Sequence, residues 1–425
     1  MLAIRRSQRP VVSSFYIAFL IGLIAVQTAT ASLSGDDDED LLSNELIDWI
    51  RDGGGFISDK IEIAAPEGGG PRGIFARDIL DEREVIFSLP WDLILRPTFN
   101  DYRKSNVEDI ECGTARAVHR AMSDPNPTPY AKYLALQPRR YLPAYWSKEG
   151  KSLLQSIVGN GVPPFHIADE IEDWEDECEG ADASDELQVH SRMLVTARSD
   201  DDIMVPFYDM FNHRNGERNY NIRHRTFRGK KFELVTERQI EPGEELYNSY
   251  NQCNNCQGRK DSFGTPEMFQ HHGFVEMPPQ RWILGDVRLK FDIDYRADGS
   301  GDLEAKFFKS PSEVGIAYLI MQLKRLRRYE SALEDGVMAD AISMLEKDLI
   351  RQYHGVMVNA FTLALESSEK GKVSDEVWEW DEVAWFVEVE DIDDENDNDD
   401  QDDDEYNEEE EEDEDEEYNG IANEL

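Results

Sequence analysis

At 425 residues, 40% of them hydrophobic, the chain is long enough to bury a large core and too long for one minimal domain. Its formal net charge of −46 is uneven, because 24 acidic residues and no Lys or Arg lie between Glu388 and Glu424. That balance leaves no basic face to neutralise phosphates, so direct nucleic-acid binding is not expected.

The chain begins with a segment that reads as an address. Arg5, Arg6 and Arg9 precede an apolar run over 15–26, and Ala29-Thr30-Ala31 has the small-residue pattern of a signal-peptidase site, with cleavage expected before Ser32. The run is shorter than the ~20 residues of a spanning helix, so membrane attachment is expected only if the segment stays uncleaved as an anchor. An acidic spacer over 36–40 leads into 41–49, whose apolar spacing predicts a short helix stopping at Gly53-Gly54-Gly55. A glycine-rich turn over 68–73 precedes a strand and not a helix, which argues against a phosphate-cradling loop. Ile74-Phe75-Ala76 and 84–89 read as short strands around the polar turn Asp81-Glu82-Arg83.

From 106 to about 188 the pattern is helical and irregular, broken by Pro125, Pro127 and Pro129, with an acidic loop over 169–186. Strand-like runs resume at 193–196, 203–206 and 231–236. Over 314–326 and 338–364 apolar residues recur at three and four, which predicts a helical C-terminal region. Short strands on both sides of a helical insertion, followed by helices, make an α+β arrangement with a split core. From about Asp391 the acidic tail cannot bury enough apolar surface to offset chain entropy and reads as disordered. Its dense carboxylates would attract calcium weakly, without a defined cage. The terminal Ala422-Asn423-Glu424-Leu425 is a relaxed form of an endoplasmic-reticulum retention signal. With the N-terminal address it points to the secretory pathway, the endoplasmic reticulum lumen in particular.

Cys112, Cys178, Cys253 and Cys256 leave three readings open. One or two disulfides suit an oxidising lumen. Cys253 and Cys256 are a possible half of a zinc site that Cys112 and Cys178 would complete. Thioredoxin-like redox chemistry ranks last, for want of a strand-helix context. No metal site is otherwise assigned.

Four segments occur in a telling order: Gly70-Pro71-Arg72-Gly73-Ile74-Phe75-Ala76, Ser191-Arg192, Asp209-Met210-Phe211-Asn212-His213, and Gly243-Glu244-Glu245-Leu246-Tyr247-Asn248-Ser249-Tyr250. Together they resemble the SET-domain protein methyltransferases of the Rubisco large-subunit methyltransferase type. The resemblance implies a SET β-clip core of short strands split by a helical insertion, with a C-terminal helical substrate-binding region. Expected boundaries are a signal peptide over 1–31, an acidic spacer and short helix over 32–56, and SET parts over 57–105 and 191–276 around an insertion over 106–190. The helical substrate-binding region follows over 277–387 and the acidic tail over 388–425.

It also implies S-adenosylmethionine as cofactor and a protein as substrate, with lysine the expected acceptor. By position, Arg72 and Gly73 match the turn whose backbone contacts the cofactor, and Arg192 matches the basic residue near its carboxylate. Asn212 and His213 match the pair that binds its adenine and amino-acid ends. Tyr250 matches the catalytic tyrosine beside the transferring methyl, while Asn248 and Phe274 fall at the floor and aromatic wall of the substrate channel. Pro71, Asn248 and His272 depart from the residues usual in the family. A histidine-directed enzyme is the alternative within the class, since Asn212-His213-Arg214-Asn215-Gly216 resembles a stretch of its actin-histidine member. A noncatalytic SET-fold binding protein of the endoplasmic reticulum, with a calcium-buffering tail, is the alternative outside it.

Overall fold

The apolar spacing around Leu41 becomes helix α1 (Asp36–Asp52), which buries Leu46 and Ile50 and gives way at Gly53. The computed structural model describes residues 36–66, 72–97, 108–126, 128–137, 142–159, 162, 164, 167, 170–200, 202–216, 219–250, 263–330, 333 and 341–368. The signal segment, Pro71, Cys253, Cys256 and the acidic tail with its terminal tetrapeptide lie outside the described residues.

Two four-stranded sheets each draw strands from both sides of the insertion. One has the order β1 (Phe56–Ile57), β4 (Val85–Pro90), β9 (Lys231–Thr236) and β8 (Ile222–Phe227), antiparallel throughout. The other has the order β2 (Ile61–Ala64), β3 (Gly73–Ala76), β10 (Glu245–Asn248) and β7 (Asn212–His213). In it the last pair, β10 with β7, runs parallel. Alternate or contiguous apolar residues on these strands, among them Ile74, Phe87, Leu89, Phe232, Leu234 and Leu246, meet Phe207 and Phe211 in one buried cluster. Burying each such side chain contributes about 1.5–3 kcal/mol, which is what holds two sequence-distant strand sets together.

The insertion is helical: α2 (Glu108–Ser123), α3 (Ala131–Ala135), α4 (Lys148–Val158), α5 (Glu170–Glu177) and α6 (Glu186–Arg198). A disulfide between Cys112 and Cys178 staples α2 to the end of α5. The strand expected over 193–196 is instead part of α6. Asp185 caps that helix by accepting from the N–H groups of Leu187 and Gln188, and Ser191, Met193, Leu194, Val195 and Ala197 are its buried residues. A short apolar run has no period of its own, so the cap upstream decides.

After α7 (Thr265–His272) the chain forms a three-stranded antiparallel sheet, β11 (Gln280–Leu284), β12 (Leu289–Tyr295) and β13 (Leu303–Phe307), before α8 (Glu313–Leu326) and α9 (Met344–Ser367). The helical region expected after residue 277 therefore opens with a sheet. Trp282, Phe291 and Ile293 on its inner face pack with Tyr353 and Phe361 of α9 and with Trp146, Leu154 and Phe269, forming a second core. Phe269 and Tyr353 stack at 4.2 Å between ring centroids. Glu346 both completes the capping box of Ser343 and accepts from the Ser147 N–H at 2.6 Å, tying the start of α9 to the insertion.

Candidate active site

The second sheet assembles the site. Its registers set Tyr247 opposite Asn212 and Asn248 opposite His213 on one side, and Glu245 opposite Phe75 and Leu246 opposite Ile74 on the other. Strands in a sheet lie about 4.8 Å apart, so β3, β10 and β7 bring the Arg72–Gly73 turn within side-chain reach of Asn212. The Asn212 amide donates to the Arg72 carbonyl at 3.2 Å and to Glu245 Oε1 at 2.7 Å. A Cβ at position 73 would fall 2.6 Å from Asn212 Nδ2 and closer still to Glu245 Oε1, so glycine is what lets the turn approach. Glu245 also accepts from the Tyr247 hydroxyl at 2.5 Å. Burial, then that bond, pushes the Tyr247 phenol up from its ordinary range. Asn221 extends the pairing of β10 by accepting from the Tyr247 N–H at 2.8 Å and donating to the Glu245 carbonyl at 2.9 Å.

Just past β10, Tyr250 is held through both its backbone and its hydroxyl. Its N–H donates to His213 Nδ1 at 3.0 Å and its hydroxyl donates to the Phe211 carbonyl at 2.7 Å. His213 Nε2 faces Glu276 Oε2 at 3.0 Å, and Thr265 donates to Glu276 Oε1 at 2.5 Å. Phe274 sits with its ring 6.0 Å from that of His213 and 6.2 Å from that of Tyr250, and His272 lies 5.0 Å from Tyr250. The carbonyl of Ala197 can only accept, so His272 donates to it from Nδ1 at 2.9 Å. Burial pulls the His272 imidazole down to about 3, against the pull of that bond. The cluster is an aromatic enclosure lined by a neutral imidazole, with one phenol fixed on a carbonyl.

Asp209, which opens the Asn-His segment, is buried beneath it. Arg198 of α6 donates to the Asp209 carbonyl at 3.1 Å and lies 3.5 Å from its carboxylate, which also accepts from Tyr133 at 3.1 Å. Burial raises the Asp209 carboxyl, and Arg198 partly offsets it.

Of the residues singled out from sequence, Arg72 and Gly73 thus meet Asn212, and the adjoining His213 meets Tyr250 and Phe274. Arg192 is on α6 and forms an ion pair with Glu111 of α2. Asn248 is buried and donates to the Tyr208 hydroxyl, which in turn meets His224 Nδ1 at 3.1 Å. Cys112 and Cys178 are bonded to each other, so they cannot complete a zinc set with Cys253 and Cys256. Among the described residues no group of His, Cys, Asp or Glu is arranged to hold a metal ion. Glu245, Glu276 and Arg198 were not singled out from sequence. Glu276 follows Gly273-Phe274-Val275 directly, and a carboxylate inside an apolar stretch is a signal of burial but not of its histidine partner.

A family model described as the SET domain matches residues 71–251, the span that contains β3, β7 and β10. Over that span the chain is similar to a SET domain. None of the curated proteins matches it. Among solved structures it is similar to "Structure of Rubisco LSMT bound to Sinefungin and Monomethyllysine", 14% identical over 77% of this chain and 92% of that one, with a TM-score of 0.43. It is also similar to "Crystal structure of the SET domain of LSMT bound to Lysine and AdoHcy", 13% identical over 75% and 91%, with a TM-score of 0.41. The matched span ends one residue after Tyr250, and Phe274 and Glu276 reach the site from beyond it.

Proposed function

We propose that this chain transfers a methyl group from S-adenosylmethionine to a lysine side chain of a protein. The observation that carries the reading is the parallel pairing of β7 with β10, which joins His213 to Tyr250 while the neighbouring Asn212 contacts the Arg72–Gly73 turn. The polar groups available suit a zwitterionic sulfonium: main chain at Arg72–Gly73 and at Asn212–His213, and the oxygens of Phe211 and Tyr250 at the other end.

When bound, the cofactor supplies a methyl already activated by positive sulfur. The protein's task is then alignment more than acid-base force. Tyr250, tied by backbone to His213 and by hydroxyl to Phe211, offers its oxygen as a fixed dipole beside the polarised carbon. Phe274, His213 and the neutral His272 exclude water from that place. A lysine ammonium entering such an enclosure would lose the solvation that favours its charge and give up its proton to solvent more readily, leaving a neutral amine able to take the methyl as the carbon–sulfur bond breaks and S-adenosylhomocysteine departs. Arg192 and Asn248, engaged with Glu111 and Tyr208, hold neighbouring elements in this reading.

The same proposal places the protein in the secretory pathway. The Cys112–Cys178 bridge supports an oxidising compartment, where such bonds persist. Incubation of the purified chain with methyl-labelled S-adenosylmethionine and secretory-pathway protein, followed by mass spectrometry, tests the chemistry. Label on lysine is expected. Label on histidine alone would replace the acceptor, and no label with no cofactor binding would refute the activity.

A further inference from the structure

The hydrogen-bonded series Thr265, Glu276, His213, Tyr250 admits one consistent arrangement of protons. A main-chain N–H can only donate, so the 3.0 Å contact from Tyr250 requires a lone pair on His213 Nδ1. An imidazole with a bare Nδ1 carries its proton on Nε2, which faces Glu276 Oε2 at 3.0 Å. Glu276 therefore accepts twice, from His213 with one oxygen and from the Thr265 hydroxyl with the other. The side chains of His213 and Glu276 are each 1% exposed, so water cannot stand in for either bond. Without the carboxylate, the ring is free to carry its proton on Nδ1, which would then confront the Tyr250 N–H donor against donor.

We propose that Glu276 is a positioning residue for Tyr250, acting through His213, in the methyl transfer proposed above, on which this inference rests. Glu276 selects the imidazole tautomer, and the tautomer decides whether His213 Nδ1 can accept from the Tyr250 backbone. The hydroxyl contact to Phe211 survives its loss, so Tyr250 would keep that contact and lose the backbone contact to His213. A segment outside the matched SET span thereby sets the aim of the residue at its end.

The test compares the full-length wild type with Glu276→Leu and Glu276→Gln. Leucine keeps the bulk and removes the acceptor, whereas glutamine keeps an oxygen for His213 and can turn its amide to Thr265. Misplacing a reacting group by about 1 Å costs on the order of 100-fold, so Glu276→Leu is expected to lower kcat at least about 30-fold while KM for S-adenosylmethionine stays within about threefold. Glu276→Gln is expected to recover most of that loss. Ring 15N spectra of His213 supply a readout independent of turnover, with the Nε2–H form in the wild type and Glu276→Gln and a shift away from it in Glu276→Leu. Unchanged kcat in Glu276→Leu, equal losses in both variants, or an Nδ1–H ring in the wild type would each overturn the proposal. A wild type that neither binds the cofactor nor transfers methyl would overturn the reaction itself, an outcome distinct from an active wild type indifferent to Glu276.

Discussion

Tyr250 and His213 are 37 residues apart in sequence and joined by one hydrogen bond of 3.0 Å, from the backbone of the first to the ring of the second. The bond lies just beyond the parallel pairing of Asn248 with His213, so the strands deliver the two residues together. Removing only the phenol oxygen separates chemistry from architecture. Tyr250→Phe should lower kcat on the order of 100-fold through loss of the oriented dipole, with cofactor affinity little changed. Its stability should fall by only about 1 kcal/mol, for the lost bond to Phe211, as read by urea denaturation. Retention of full turnover would show that the phenol is not at the reacting centre.

Gly73 makes the opposite kind of prediction. A methyl group there would press on Asn212 and Glu245, so Gly73→Ala must either displace the Asn212 amide or open the turn. Cofactor affinity measured by calorimetry should drop at least about tenfold, with about 1–3 kcal/mol lost in stability from overpacking. Gly243, which has no atom within 4 Å of an added Cβ, is a fitting contrast site for strain of backbone alone, given its φ of +87°.

His272 couples stability to acidity. Its imidazole sits at about 3 in the folded chain against about 6.5 when unfolded, chiefly because burial disfavours the charged ring. Between those values the unfolded chain holds a proton that the folded chain does not. The contribution of the neutral ring is thus complete above about pH 6.5 and declines as the pH falls toward 3, by at most about 1.4 kcal/mol per pH unit. Denaturation midpoints at pH 7 and pH 5 should fall more steeply for the wild type than for His272→Asn. Parallel slopes would contradict the buried, neutral ring.

The Cys112–Cys178 bridge spans a sequence separation of 66 residues, which in the chain-entropy model corresponds to about 4 kcal/mol. The paired Cys112→Ser and Cys178→Ser variant should therefore lose up to about that amount, measured against unreduced wild type. Glu111 neighbours Cys112 and pairs with Arg192, so loosening of α2 should also show in the protection of α6 by hydrogen exchange. A variant with unchanged midpoint would show that packing around Trp174 already fixes these helices.

The helices after Val314 were legible because their apolar residues keep a period over several positions, and the strands at Ile74 and Lys231 because short apolar runs stand between polar turns. The Asn-His and Tyr250 segments were legible as a set, through a resemblance that no single residue carries. What escaped did so for physical reasons. Met193-Leu194-Val195-Thr196 is too short to show a period, and the deciding Asp185 cap lies eight residues upstream. The alternation Trp282, Leu284 and then Phe291, Ile293 does mark strands, but it follows a site and precedes long helices that dominate the reading of that region. Glu276 escaped because its role depends on a partner 63 residues away, and nothing local announces that a carboxylate will be buried against a histidine.

The most direct test of the central claim is a crystal structure with S-adenosylhomocysteine. Density for the ligand is expected between the Arg72–Gly73 turn and the Asn212–His213 strand, with its sulfur on the side of the Tyr250 hydroxyl. A ligand bound elsewhere, or one whose sulfur points away from Tyr250, would contradict the claim that these distant segments serve one methyl donor.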